Sequence, residues 1–242
     1  MKVFGIVSYK GSNYLGWQRQ TDAPTIQEEI EKVLSKILDT PTPIVGAGRT
    51  DAGVHAKGQT FSFDLSKDIA LDRLRYSLNC LLPKDIHVLF LKEVSNDFHP
   101  RYSAKGKHYS YTIILGENNP FMYETAYIYP AEFEYGLFAV ALNQFNGKHN
   151  FQDFTSKEED EDNFVREVKV ESSKGGNIIR VDFYGPGFMR YMIRFMVGAA
   201  LAVAIKKEKL SFISSHLKEG KKREIINYKA PSEGLVLEEV IY

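Results

Sequence analysis

The sequence predicts an α+β fold of two ferredoxin-like (βαββαβ) halves that share a mixed, mostly antiparallel sheet. Three observations carry the prediction. Short runs alternate apolar and polar residues, as half-buried strands do, while longer runs repeat apolar residues every three or four positions, as amphipathic helices do. The order strand, helix, strand, strand, helix, strand is read over residues 1–103 and again over 104–242. Apolar residues make up 43% of a 242-residue chain, enough for one large domain or two intimate halves. The residues themselves do not repeat between the halves; only the element order does.

Each element has its own signal. Lys2–Tyr9 alternates and reads as a strand. Thr25 supplies a capping hydroxyl with Glu28 three residues on, and Ile26, Ile30, Val33, Leu34 and Ile37 then form one helical face. Thr42–Ala47 reads as a strand into a loop from Gly48 to Gly58, and Phe61, Phe63 and Leu65 mark the returning strand. Leu71, Leu74, Leu78 and Leu81 give a second helix, stopped by Pro83, and Ile86–Leu91 reads as a buried strand. In the second half, Tyr109, Tyr111, Ile113 and Leu115 alternate, and Leu137, Ala141, Leu142 and Phe145 share a helical face. Val165–Glu171 and Ile178–Tyr184 form a hairpin around Lys174-Gly175-Gly176. Phe188–Ile205 reads as a helix, Ser211–Leu217 as a short one and Leu235–Ile241 as a closing strand.

Composition excludes several classes. Lys and Arg number 31, as do Asp and Glu, so any basic surface must be local. Cys80 is the only cysteine, which rules out an intrachain disulfide and a cysteine-rich zinc site and points to a reducing compartment, the cytoplasm. The N-terminal MKVFGIVSYKGS lacks the apolar run of a signal peptide, and the longest apolar stretch, Phe195–Ile205, is too short to span a bilayer. No membrane partner is expected. The acidic run Lys157–Asp162 reads as a solvated loop, and the basic clusters Lys206, Lys207, Lys209 and Lys221-Lys222-Arg223 read first as solvated faces.

The Gly48–Gly58 loop stands apart. A hairpin connection needs only about two to five residues, yet this loop is longer and holds Arg49, Asp51, His55 and Lys57 between glycines. Long charged loops on a rigid scaffold are common functional sites, although an Asx-turn with surface charges has the same composition. The P-loop pattern is absent, so no nucleotide cofactor is indicated.

Gly48-Arg49-Thr50-Asp51-Ala52-Gly53-Val54-His55-Ala56 resembles the signature of the tRNA pseudouridine synthase A family. So, in family order, do Tyr14-Leu15-Gly16-Trp17-Gln18-Arg19-Gln20, Phe98–Ala104 with Lys107–Tyr111, Phe188–Arg194 with Val197-Gly198, and Ala230-Pro231 with Gly234-Leu235. These blocks span nearly the whole chain. The chain departs from the family pattern at Lys10, where Asp is usual, and at Phe195, where Asn is common.

The resemblance implies an isomerase that converts uridine to pseudouridine at positions 38, 39 and 40 in the anticodon stem-loop of tRNA, acting as a homodimer. The reaction is redox-neutral and donates no group, so it calls for no cofactor and no metal. Asp51 is implied as the catalytic residue, either attacking C1′ or removing the C2′ proton. Arg194 is implied as the cation that keeps Asp51 ionised, since an unpartnered buried carboxylate is neutralised; a structural ion pair elsewhere is the alternative. Arg190 and Arg194, four residues apart, are read as sharing one face of the late helix. Tyr109 is implied to stack on the uracil, although its pattern is also that of an ordinary strand. Arg49 is implied to hold the flipped nucleotide out of its stack. Phe188 is read against the base or in the core, His55 and Lys57 at phosphate or, for His55, in the loop's own structure. Arg101, Lys105 and Lys107 are candidates to track the RNA backbone. Two edge-to-edge halves would leave a central cleft wide enough for the RNA. A non-catalytic RNA-binding module predicts an RNP-like aromatic pattern, and a nucleosidase predicts a second carboxylate beside the first; neither stands out.

Overall fold

The computed structural model describes residues 1–21, 23–156, 163–218, 220 and 222–242. The acidic run at 157–162 and Lys221 lie outside the described residues. The fold is mixed α+β with mostly antiparallel pairing, and the chain divides into two compact units: residues 1–105 with 236–242, and residues 106–235. The closing strand, read above as part of the second half, groups with the first unit.

In the first unit, β1 (Lys2–Tyr9) runs antiparallel between β3 (His55–Asp64) and β4 (Ile86–Val94). The short β2 (Val45–Gly46) pairs with Phe61–Ser62 of β3, and β10 (Leu235–Ile241) adds in parallel at His55–Ala56. Helices α1 (Ile26–Leu38) and α2 (Leu71–Leu81) bury Ile26, Ile30, Leu34, Leu74 and Leu78 completely, as their spacing predicts. The Thr25 hydroxyl accepts the Glu28 N–H, which satisfies one of the free donors of the first turn of α1. Tyr242 closes the unit: its ring meets Phe4 and Phe98 at 5.4 and 5.3 Å, and its hydroxyl donates to the Pro100 carbonyl.

Three expectations change here. The strand over 42–47 shrinks to β2, because Pro41 and Pro43 remove the amide donors that a ladder needs. The loop ends at Val54, since β3 begins at His55, where β1 and β10 both reach it. Finally, β4 is not buried on both faces. Its pairing with β1 skips Leu89, and this bulge leaves Leu89 and Phe90 both exposed.

In the second unit, β5 (Gly106–Leu115) pairs with β9 (Ile178–Gly185), β9 with β8 (Val165–Gly175) and β8 with β7 (Gly147–Asn150), all antiparallel. The short β6 (Tyr127–Tyr129) is parallel to β5. One face carries Tyr109, Tyr111, Ile179, Val181 and Phe183 into the core. The other face carries polar groups: Asp182 accepts three contacts from Arg180, the shortest 2.7 Å, and lies 2.7 Å from His108 Nε2. Helices α3 (Tyr135–Asn143), α4 (Met192–Ala204) and α5 (Ser211–His216) complete the unit. A helix that is apolar all round belongs inside; every residue of α4 is buried except Arg194. Among the described residues, no helix is long and apolar enough to cross a membrane.

Candidate active site

Asp51 opens a tight turn. The Val54 N–H donates to the Asp51 carbonyl at 3.1 Å, and Gly53 takes the left-handed position with φ 77°, the glycine place of a type II turn. Backbone bonds brace both flanks of the aspartate. The Trp17 N–H donates to the Thr50 carbonyl at 3.1 Å, and the Gly53 N–H donates to the Tyr14 carbonyl at 3.2 Å. The Tyr9 and Thr50 hydroxyls are 2.8 Å apart, and Gln59 Nε2 donates to the Gly48 carbonyl. Burial raises the Tyr9 pKa far above the usual phenol range, with hydrogen bonds to Thr50 and Gln59 offsetting part of the shift, so Tyr9 stays neutral.

The close fit requires glycine at two places. A Cβ on Gly16, at φ 87°, would collide with the Thr50 carbonyl oxygen and stand 3.1 Å from the Asp51 carbonyl carbon. A Cβ on Gly11 would collide with the Val54 carbonyl oxygen. The Tyr14–Trp17 block and the Asp51 block, separate motifs in the sequence, are therefore two sides of one structure. Tyr9, Gly11 and Gly16 were not among the residues singled out for the site; glycines flanking Tyr14 were the only signal they offered.

The other residues of the first unit's loop divide by burial. Arg49 is exposed beside the half-buried Asp51. His55 is 4% exposed, and its Nδ1 accepts the Gly11 N–H at 3.0 Å, so that nitrogen is committed to the loop's own structure. Lys57 is exposed and paired with Glu238 at 3.0 Å, a surface ion pair of small energetic weight.

In the second unit, Tyr109 is buried on β5, and Phe188 meets its ring edge-on at 5.4 Å. Arg194 is half-buried in the first turn of α4. Its Nε donates to the Ala230 carbonyl at 2.8 Å, and the Ala230 N–H donates back to the Arg194 carbonyl at 2.9 Å. Gly198 lets this contact form: a Cβ there would lie 2.5 Å from the Tyr228 carbonyl oxygen. Tyr191 sits below three cations, with Lys229, Arg190 and Arg194 at 4.3, 4.9 and 5.2 Å from its ring centre.

The placement of Arg190 corrects the sequence reading. Helix α4 starts at Met192, not Phe188, because Tyr191 adopts φ 60° and breaks the helical path. Arg190 thus lies exposed in the preceding turn and shares no helix face with Arg194. Arg101 and Lys105 are exposed at the end of the first unit, and Lys107 is half-buried at the start of β5.

The first unit thus holds a braced carboxylate on a loop, and the second presents an aromatic and an arginine on regular elements. The chain belongs to the tRNA pseudouridine synthase family: a family model of that description matches residues 6–103 and 141–242. It is 35% identical to tRNA pseudouridine synthase A of Clostridium kluyveri, over 98% of both chains. It is 39% identical to tRNA pseudouridine synthase A of Streptococcus sanguinis, over 98% of this chain and 97% of that one. Among solved structures, a chain of the archaeal box H/ACA sRNP Nop10-Cbf5 complex aligns with 15% identity and a TM-score of 0.35, covering 83% of this chain and 43% of that one.

Proposed function

We propose that the protein isomerises uridine to pseudouridine at positions 38, 39 and 40 of the tRNA anticodon stem-loop, with Asp51 as the catalytic residue. The observation that carries the reading is the bracing of Asp51: a carboxylate on a loop held by backbone bonds on both flanks and by glycines that admit no side chain. The relatives' shared name, tRNA pseudouridine synthase A, supports the substrate.

The N1–C1′ bond of the flipped uridine breaks, and its electron pair leaves with the uracil. Asp51 acts either by bonding to C1′ or by taking the C2′ proton to leave a glycal-like sugar. The base turns and C5 bonds to C1′ as Asp51 leaves C1′ or returns the proton to C2′; the C5 proton then departs and N1 gains one, so the product is an isomer. Tyr109 stacks on the uracil and its phenol assists that last proton removal. Arg194 is the cation that keeps the catalytic carboxylate ionised. Arg49 holds the nucleotide out of its stack, Phe188 backs Tyr109, and Arg190 and Lys57 lie toward phosphate. His55 supports the loop from behind. A homodimer in the cytoplasm, with tRNA as its partner, completes the reading.

The test uses an unmodified tRNA transcript, wild-type protein and Asp51→Ala, with pseudouridine mapped by position. Wild type forms pseudouridine at 38, 39 and 40, and the variant forms none while still binding tRNA. No product with wild type, or full product with the variant, refutes the assignment. Free uracil as product would mark a nucleosidase instead.

A further inference from the structure

A group of residues in the second unit fixes the entry to α4. Gln152–Phe154 form a single 3-10 turn. Asp153 has no exposed surface. One of its carboxylate oxygens accepts the Glu224 N–H at 2.9 Å, and the other lies 2.7 Å from His216 Nδ1. Arg223 straddles the turn, donating to the Gln152 carbonyl at 3.0 Å and the Thr155 carbonyl at 2.8 Å. Thr155, also without exposed surface, then donates its hydroxyl to the Arg190 carbonyl at 2.9 Å.

That carbonyl is where leverage exists. The helical ladder of α4 begins one residue later, with the Tyr191 carbonyl accepting the Phe195 N–H at 2.9 Å, so the Arg190 carbonyl lies outside it. Tyr191 is held in a left-handed conformation that side chains adopt at a cost. Past Tyr191, the chain turns directly into the residues that carry Arg194. The path then closes on itself. Arg194 is joined to Ala230 through side chain and backbone, and the Ile226 N–H, upstream in the same segment, donates to the Asp153 carbonyl at 3.1 Å. The entry to α4 is thus tied from the Thr155 side and from the Ala230 side, and both ties lead back to Asp153.

We infer that Thr155 is a positioning residue for Arg194, held in place by the buried Asp153. The inference rests on the role proposed for Arg194, that of keeping Asp51 ionised. Loss of the Thr155 hydroxyl frees the Arg190 carbonyl, lets Tyr191 relax, and shifts the guanidinium away from its working position. On that reading the ionised carboxylate loses the positive charge that favours it, and activity falls at the acid end of the pH range.

The experiment compares wild type, Thr155→Val, Thr155→Ser and Arg194→Gln on an unmodified tRNA transcript, with kcat, KM and the pH profile of kcat/KM. Thr155→Val lowers kcat by roughly tenfold, the scale on which slight misplacement acts. It leaves KM for tRNA near wild type and moves the acid limb of the profile to higher pH. Thr155→Ser, which keeps the hydroxyl, restores kcat and the acid limb. Thr155→Ala gives the same reading should valine not be accommodated. A Thr155→Val protein that melts earlier but keeps the wild-type kcat and acid limb overturns the inference and leaves the Arg194 reading standing, provided that Arg194→Gln moves both. If Arg194→Gln moves neither, the Arg194 reading itself falls, and the inference with it.

Discussion

Gly16→Ala tests whether the first loop holds Asp51. At φ 87° the backbone is left-handed, which costs an alanine about 1–2 kcal/mol. The added methyl would also collide with the Thr50 carbonyl oxygen and sit 3.1 Å from the Asp51 carbonyl carbon. Both neighbours are backbone, so no side chain can swing aside, and overpacking of this kind costs about 1–3 kcal/mol. Restricting the unfolded chain returns about 0.4–1 kcal/mol. The net loss is about 1–5 kcal/mol, or roughly 2–20 °C in Tm for a chain of this size. Part of the strain is relieved by pushing the Thr50–Asp51 peptide away, and a displacement approaching 1 Å costs up to about 100-fold in kcat. Thermal melts and pseudouridine kinetics on the same preparation measure both effects. A Gly16→Ala protein with wild-type Tm and wild-type kcat would refute the claim that the two loops form one rigid structure.

Other substitutions test the same logic with different signs. Gly136, inside α3 with nothing within 4 Å of its missing Cβ and no positive φ, should gain about 0.5–1 kcal/mol on replacement by alanine, seen as a higher melting point with activity unchanged. Gly198→Ala should lose that helical gain to the collision with the Tyr228 carbonyl and weaken the Arg194–Ala230 contact, so denaturant melts and kcat should both fall. Burial alone would raise the Asp182 pKa, but hydrogen bonds from Arg180 and His108 outweigh it and hold the carboxyl below its ordinary 3.8. Its contribution is therefore complete above that value and lost as pH falls through the lower folded value. Asp182→Asn should be less stable than wild type in urea at pH 7, and the gap should narrow near pH 3; a gap that widens in acid would contradict the sign.

Much of this architecture is legible from local pattern. The Thr25 cap and the faces of α1 and α2 follow from local pattern, because helix packing repeats every few residues and leaves that trace in the chain. The short strands β6 and β7 leave none: a few residues such as Tyr127–Tyr129 or Gly147–Asn150 become strands only through the neighbour they pair with. The start of α4 was misplaced because the apolar pattern continues through Phe188 and Met189, while the break depends on one dihedral angle at Tyr191. Asp51, Tyr109 and Arg194 could be named from motifs as candidates. The bracing of Asp51 by Gly11, Gly16 and Tyr9 could not, since it is a contact between loops far apart in sequence, and propensity carries no information on such contacts.

The parallel pairing of β10 with β3 has a consequence for how the protein comes into being. Val236 lies opposite His55, at the foot of the Asp51 loop, and Lys57 is paired with Glu238, 181 positions later in the chain. The whole second unit must leave the ribosome before the strand that finishes the first unit is available. A nascent chain therefore spends most of its synthesis with the β3 edge beside the Asp51 loop open, and long-range closures of this kind are slow. The Asp51 loop acquires its final wall last, so a chain halted before Val236 carries Asp51 without the strand that backs it.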